Sequence, residues 1–239
     1  MLISSHKQRL ARAQEKRAIV LRYLCEEIWT SQGVIQLIAG LGTRQAAHRL
    51  LHSLEKEELV RRAPAPTLAG QGLTIWGITP HGRALTPEAD ATGHCFEPSR
   101  LSVVVVPHHL MVQEARWRAE QAGWADWKRG ETMGKDVKCR PDAVATRPDG
   151  VSMAIECERT IKTVKGYQKI LFNHLEEIRG GKWAGVYYVT PSQVIADGLT
   201  RVFNGITHLL GGEAFEEKQR SRFKILTLAE FPPGMEVTK

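Results

Sequence analysis

The chain has 239 residues, 42% hydrophobic and 25% charged, and a net charge of +7. That composition is ordinary for a globular protein and leaves room for one large domain or two small ones. No run approaches the roughly 20 apolar residues of a membrane span, and the N-terminus lacks the apolar stretch of a signal peptide, so the expectation is a cytoplasmic protein with no membrane partner.

Cys25, Cys95, Cys139 and Cys157 form no C-x-x-C pair. Their spacing fits neither a zinc ribbon nor a disulfide framework, and they read as reduced, mostly structural thiols. The excess of positive charge favours a polyanionic partner. It is concentrated at the start: residues 1–17 carry Lys7, Arg9, Arg12, Lys16 and Arg17 against Glu15. Such a basic arm either tracks phosphates or is a solvated terminus.

From Glu15 to Trp29, Ile19, Leu21, Tyr23, Leu24 and Ile28 form an apolar helical stripe. Thr30 or Ser31 can cap a second helix. Gly40 and Gly42 break it, and Thr43 can cap a third, whose inward face is Ala47, Leu50, Leu51 and Leu54. Two strands follow, around Val60–Arg62 and Leu73–Trp76, joined by a Pro- and Gly-rich tip. "TPHGRAL" restarts a short helix. Three helices and a hairpin predict a winged helix-turn-helix over 18–88, with the third helix presented to the major groove. Some winged helices bind protein instead of DNA. Exposed early positions on the third helix are Arg44, Gln45, His48 and Arg49; Arg can read guanine and Gln adenine. Arg61 and Arg62 would meet phosphate or the minor groove. His48 and His52, four apart, read as surface or groove residues. Residues 89–104 are a linker by composition, with a domain boundary near residue 95.

The remainder, 105–239, reads αβββαβαβ, an α/β domain with a mixed sheet. Arg147-Pro148-Asp149-Gly150 is a strong turn signal. A type I turn with a glycine bulge would pair Arg147 with Val151 and place Asp142 directly across from Glu156. Glu158 then shares their face, while Cys157 points away with Ile155 and Met153. Like charges opposed in a sheet destabilise it, and a divalent cation such as Mg²⁺ or Mn²⁺ would compensate. The bland alternative is a slipped register with solvated acids. Lys162, Lys165 and Lys169 share a face of the next helix; they either hold a scissile phosphate or form a surface stripe, the latter being favoured for Lys169. Glu114, flanked by apolar residues, is either another metal-site acid or an ion-pair partner of an arginine.

"RPDAVATRPDGVSMAIECE" resembles the PD-(D/E)xK nuclease superfamily. The resemblance implies that Asp142 and Glu156 bind Mg²⁺. Glu158 stands where that family has a lysine, as in its E-x-E variants, so the general base is Glu158 or a lysine moved to Lys162 or Lys165. With the basic arm, the winged helix and "HHLMVQEARW", the whole chain resembles MobC-type plasmid mobilisation relaxases of the replication-relaxation group. That resemblance implies strand-specific nicking of double-stranded plasmid DNA at a transfer origin, with an accessory mobilisation protein and a coupling protein as partners, and a monomer or dimer. A covalent relaxase mechanism would need a tyrosine; of Tyr23, Tyr167, Tyr187 and Tyr188, Tyr167 is the candidate. The rival expectations are a non-catalytic DNA-binding regulator of plasmid replication and a dimeric endonuclease that cuts both strands.

Overall fold

The computed structural model describes residues 6–65, 72–87, 93–134 and 137–234. They form eight α-helices, a three-stranded sheet and a mixed five-stranded sheet. The chain divides into two compact units, residues 1–113 and 114–239.

In the first unit, α1 (His6–Glu27) is a single helix of 22 residues. The described part of the basic segment, 6–17, is thus not an arm but the first half of α1, and Arg17 binds Glu57 with both guanidinium nitrogens while Lys16 Nζ donates to Gly40 O. β1 (Trp29–Ser31) has no signal in the sequence, because three residues are too short to show a period. Ser31, not Thr30, caps α2 (Gln32–Ile38), its Oγ accepting from Val34 N. Thr43 caps α3 (Arg44–Lys56), accepting from Ala46 N. As expected, Ala47, Leu51 and Leu54 are buried; Leu50 packs at the edge. β2 (Val60–Ala65) and β3 (Leu73–Ile78) pair antiparallel with β1 on the far side of β3, in the order β1-β3-β2. The tip expected over 66–71 lies outside the described residues. Thr79 caps α4 (Pro80–Ala84).

The boundary near residue 95 is displaced. Phe96 is fully buried with Ala63, Ile75 and Val106. It lies so close to Gly77 that a Cβ there would come within 2.2 Å of the Phe96 ring. α5 (Val105–Gln121) also begins inside this unit. Gln113, fully buried, accepts from Thr30 Oγ1 at 2.5 Å and donates to Trp29 O at 2.7 Å. A segment that reads as a polar linker is therefore anchored by one aromatic ring, and the first unit extends to Gln113.

In the second unit, β4 (Ala125–Arg129), β5 (Ala143–Thr146) and β6 (Ser152–Cys157) are antiparallel neighbours. β7 (Val186–Thr190) and β8 (Phe223–Thr227) continue the sheet in parallel from β6. α6 (Val164–Arg179) and α7 (Gln193–Gly205) are the crossovers, and α8 (Glu217–Arg220) precedes β8. Tyr167, Leu171 and Leu175 of α6 and Leu199 and Phe203 of α7 pack on Val144, Ala154, Val186 and Tyr188. The alternate residues are buried too: Met153, Ile155 and Cys157 on β6, and Tyr187 against Trp124 and Phe231. β6 and β7 are buried on both faces, which explains their continuous apolar runs. No helix among the described residues is long and apolar enough to cross a membrane.

Candidate functional site

The turn at Arg147–Gly150 forms as its residues dictate. Arg147 N donates to Val151 O, Gly150 N donates to Arg147 O, and Gly150 takes φ 82°. It sets the register Thr146↔Ser152, Ala145↔Met153, Val144↔Ala154 and Ala143↔Ile155. One step further, Asp142 lies just before β5 and Glu156 near the end of β6, the latter facing His174 of α6. Asp142 Oδ2 accepts from Cys157 N at 2.7 Å, tying the carboxylate to the end of β6.

Glu156 is the electrostatically loaded member. Burial pushes its carboxyl above the usual range; His174 pulls it down, the negative charge of Asp142 pushes it up, and Lys162 pulls it down. His174 Nε2 lies 3.0 Å from Glu156 Oε1, and Cys139 Sγ lies 3.5 Å from the same nitrogen. Cys139, Glu156 and His174 each bring one ligand-type atom within 4.8 Å of the others, the metal-ligating set among the described residues. They arrive from three places: the loop before β5, the end of β6 and the middle of α6. The loop is fastened to α6, since Lys138 Nζ donates to Glu176 Oε2 at 2.9 Å and Lys138 N donates to Glu177 Oε1. Burial, then the negative charges of Glu156 and Glu177, push the Cys139 thiol up to about 12.

Glu158 is buried and pairs with Lys162 Nζ at 2.5 Å. Lys162 thus reaches the acids, and its own side chain is 48% exposed. Lys162 precedes α6, whose N-cap is Thr163, so it does not share a helix face with Lys165 and Lys169, which are exposed on α6. Glu114 pairs with Arg118, Nη2 to Oε1 at 3.0 Å, one turn along α5, and does not join the group formed by Cys139, Glu156 and His174. Neither Cys139 nor His174 stands out in the sequence. The one available signal is a histidine set in the apolar stripe Tyr167, Leu171, Leu175 of α6.

Tyr167 does not suit a nucleophile. It is fully buried, edge-on to Phe203 at 5.3 Å between centroids, and its hydroxyl accepts from Lys162 N at 3.1 Å. Burial above all raises its pKa. Tyr23, Tyr187 and Tyr188 are buried as well.

In the first unit, Lys7, Arg9 and Arg12 are exposed on α1, and Arg44, Gln45, His48 and Arg49 are exposed on the first turns of α3. The His48 and His52 rings have centroids 4.2 Å apart and are tilted by 59°, with their Nε2 atoms 3.0 Å apart. The residues expected on phosphate, Arg61 and Arg62, are partly engaged within the unit: Arg61 donates to Phe96 O, and Arg62 Nε lies 3.2 Å from Glu55 Oε1. No protein-family model matches the chain, and neither the curated proteins nor the solved structures contain a significant match.

Proposed function

We propose that this chain is a metal-dependent DNA nicking enzyme, a plasmid mobilisation relaxase acting at a transfer origin. In this reading the first unit is a winged helix that grips duplex DNA and the second a nuclease-like domain that cuts it. The observation that carries the reading is that Asp142 lies close enough to Glu156 for its charge to raise the Glu156 carboxyl. The hairpin register runs up to Ala143↔Ile155, the pair beside them.

Such a pair fits a hard divalent cation, which suits carboxylate oxygens. Asp142 and Glu156 would hold Mg²⁺ or Mn²⁺, which would supply Lewis acidity toward a phosphate and a more acidic bound water. The chain's own groups do the rest. The Cys157 amide fixes one oxygen of Asp142. Lys162 Nζ donates to Glu158 Oε2 and remains half exposed, so it can turn to a phosphate oxygen and stabilise developing charge. Glu158, in the place of a lysine, positions Lys162; the pair together stands in for the missing base. On the first unit, Arg44, Gln45, His48 and Arg49 form the reading edge of α3, with Lys7, Arg9 and Arg12 on phosphate.

Incubation with supercoiled plasmid carrying its cognate origin and Mn²⁺ tests this. Open-circle product is expected. Linear product would favour the two-strand endonuclease, and binding without cleavage would leave the non-catalytic regulator.

A further inference from the structure

Beside Glu156 Oε1 stand two donors that are not oxygen, Cys139 Sγ and His174 Nε2. Thiolate and imidazole select borderline-soft ions such as Zn²⁺, whereas Mg²⁺ takes oxygen. We propose that Cys139 Sγ, His174 Nε2 and Glu156 Oε1 form a three-ligand Zn²⁺ centre, with its fourth position open. The spacing suits it. Zinc bound at about 2.3 Å to sulfur and about 2.0–2.1 Å to nitrogen puts those ligands about 3.5 Å apart in a tetrahedron, and Sγ and Nε2 are 3.5 Å apart. Nε2 and Oε1, at 3.0 Å, need to part only slightly.

The surroundings are built for such a centre. His174 is fully buried and its ring is walled by Trp183, Tyr188 and Phe223, so its orientation is set by packing. Cys139 and Glu156 are only partly buried, which leaves an entry side. The Cys139 loop is held to α6 at Glu176 and Glu177, one turn beyond His174. Three residues on, the same loop carries Asp142. Zinc binding would release the Cys139 proton to solvent and cross-link the loop to β6 and α6, fixing Asp142 in its place near Glu156. Three protein ligands and an open position is also the count of catalytic rather than structural zinc sites.

This centre needs only these three side chains and does not rest on DNA cleavage. The test uses the full chain, stripped of metal and titrated with Co²⁺ and then Zn²⁺. One equivalent of Co²⁺ is expected, with an intense near-ultraviolet thiolate-to-cobalt charge-transfer band and tetrahedral visible bands, both bleached by Zn²⁺. Cys139→Ser should lose the charge-transfer band. Cobalt on the surface pair His48 and His52 would show no such band, so it cannot mimic the result. Should Cys139→Ser fail to fold, alkylation mapped by mass on the wild-type chain gives the same answer: Zn²⁺ protects Cys139. A spectrum without charge transfer, an identical spectrum from a folded Cys139→Ser, or unchanged alkylation with Zn²⁺ would overturn the proposal. None of these readouts requires the protein to cut DNA, so an inert nuclease and an absent zinc centre are told apart.

Discussion

Gly130 carries a prediction that reaches the site without touching a site side chain. It follows β4 and its amide donates to Asp142 O at 3.0 Å. A Cβ at this position would lie 1.7 Å from Pro141 O and 2.9 Å from Pro141 C. To reach even 3.0 Å, the closest approach that real Cβ atoms tolerate, the carbonyl must retreat by 3.0 − 1.7, about 1.3 Å. The obstacle is backbone and not the end of a flexible side chain, so Gly130→Ala must displace the Pro141–Asp142 peptide. Overpacking of this kind costs about 1–3 kcal/mol, and losing the amide bond to Asp142 O adds about 1 kcal/mol. The expected fall in the second unit's melting temperature is on the order of 10 °C. A misplacement of about 1 Å at a reacting centre costs about 10²-fold in rate, so nicking should fall by that order. The assay pairs thermal melting with single-turnover cleavage of supercoiled plasmid. Gly205→Ala, where a Cβ meets nothing within 4 Å, is the control and should be neutral or slightly stabilising. A Gly130→Ala protein that melts and cuts like wild type would refute the reasoning.

Tyr167→Phe removes only a buried hydroxyl that accepts from Lys162 N; a loss of about 1 kcal/mol in stability is expected, with cleavage retained and no protein–DNA adduct in either protein on denaturing gels. An adduct that vanishes in the variant would contradict the burial argument. Glu156 predicts a pH signature in metal-free protein. Burial raises its carboxyl pKa, so the folded state holds that proton more tightly than the unfolded state. This contribution to stability is complete below the ordinary carboxylate range and is lost as pH rises through the raised value. In urea denaturation Glu156→Gln should therefore gain on wild type as pH rises to neutrality; parallel profiles would count against it. Replacing Arg44 and Arg49 together by Ala should weaken DNA binding and reduce the slope of log affinity against log salt by about one for each phosphate no longer neutralised, read by titration at several salt concentrations.

Most of the element order was legible because caps and turns are local. Thr43, Thr79 and the Arg147–Gly150 turn each act within four residues, and the turn alone set the β5–β6 register from Thr146↔Ser152 to Ala143↔Ile155. What was not legible is non-local. Phe96 reads as one aromatic in a polar stretch, yet its packing on Gly77 draws the supposed linker into the first unit. β1 exists only because β3 offers it a partner. At the site, Cys139 and His174 are 35 residues apart and meet only after β6 and α6 have packed, so no spacing rule could pair them. The three lysines were visible, but Lys162 falls before the helix start at Val164 and only packing singles it out, beside Glu158, which is turned inward.

The central claim is that Asp142 works in metal-dependent strand cleavage. The direct measurement is single-turnover nicking of supercoiled origin plasmid in Mn²⁺ by wild type and by Asp142→Asn, whose shape is preserved and whose fold is checked by melting. The account predicts open-circle product from wild type and a loss of about 10²-fold or more in the variant at unchanged DNA affinity. Equal cleavage by both folded proteins, or none by wild type bound to its origin, would contradict it.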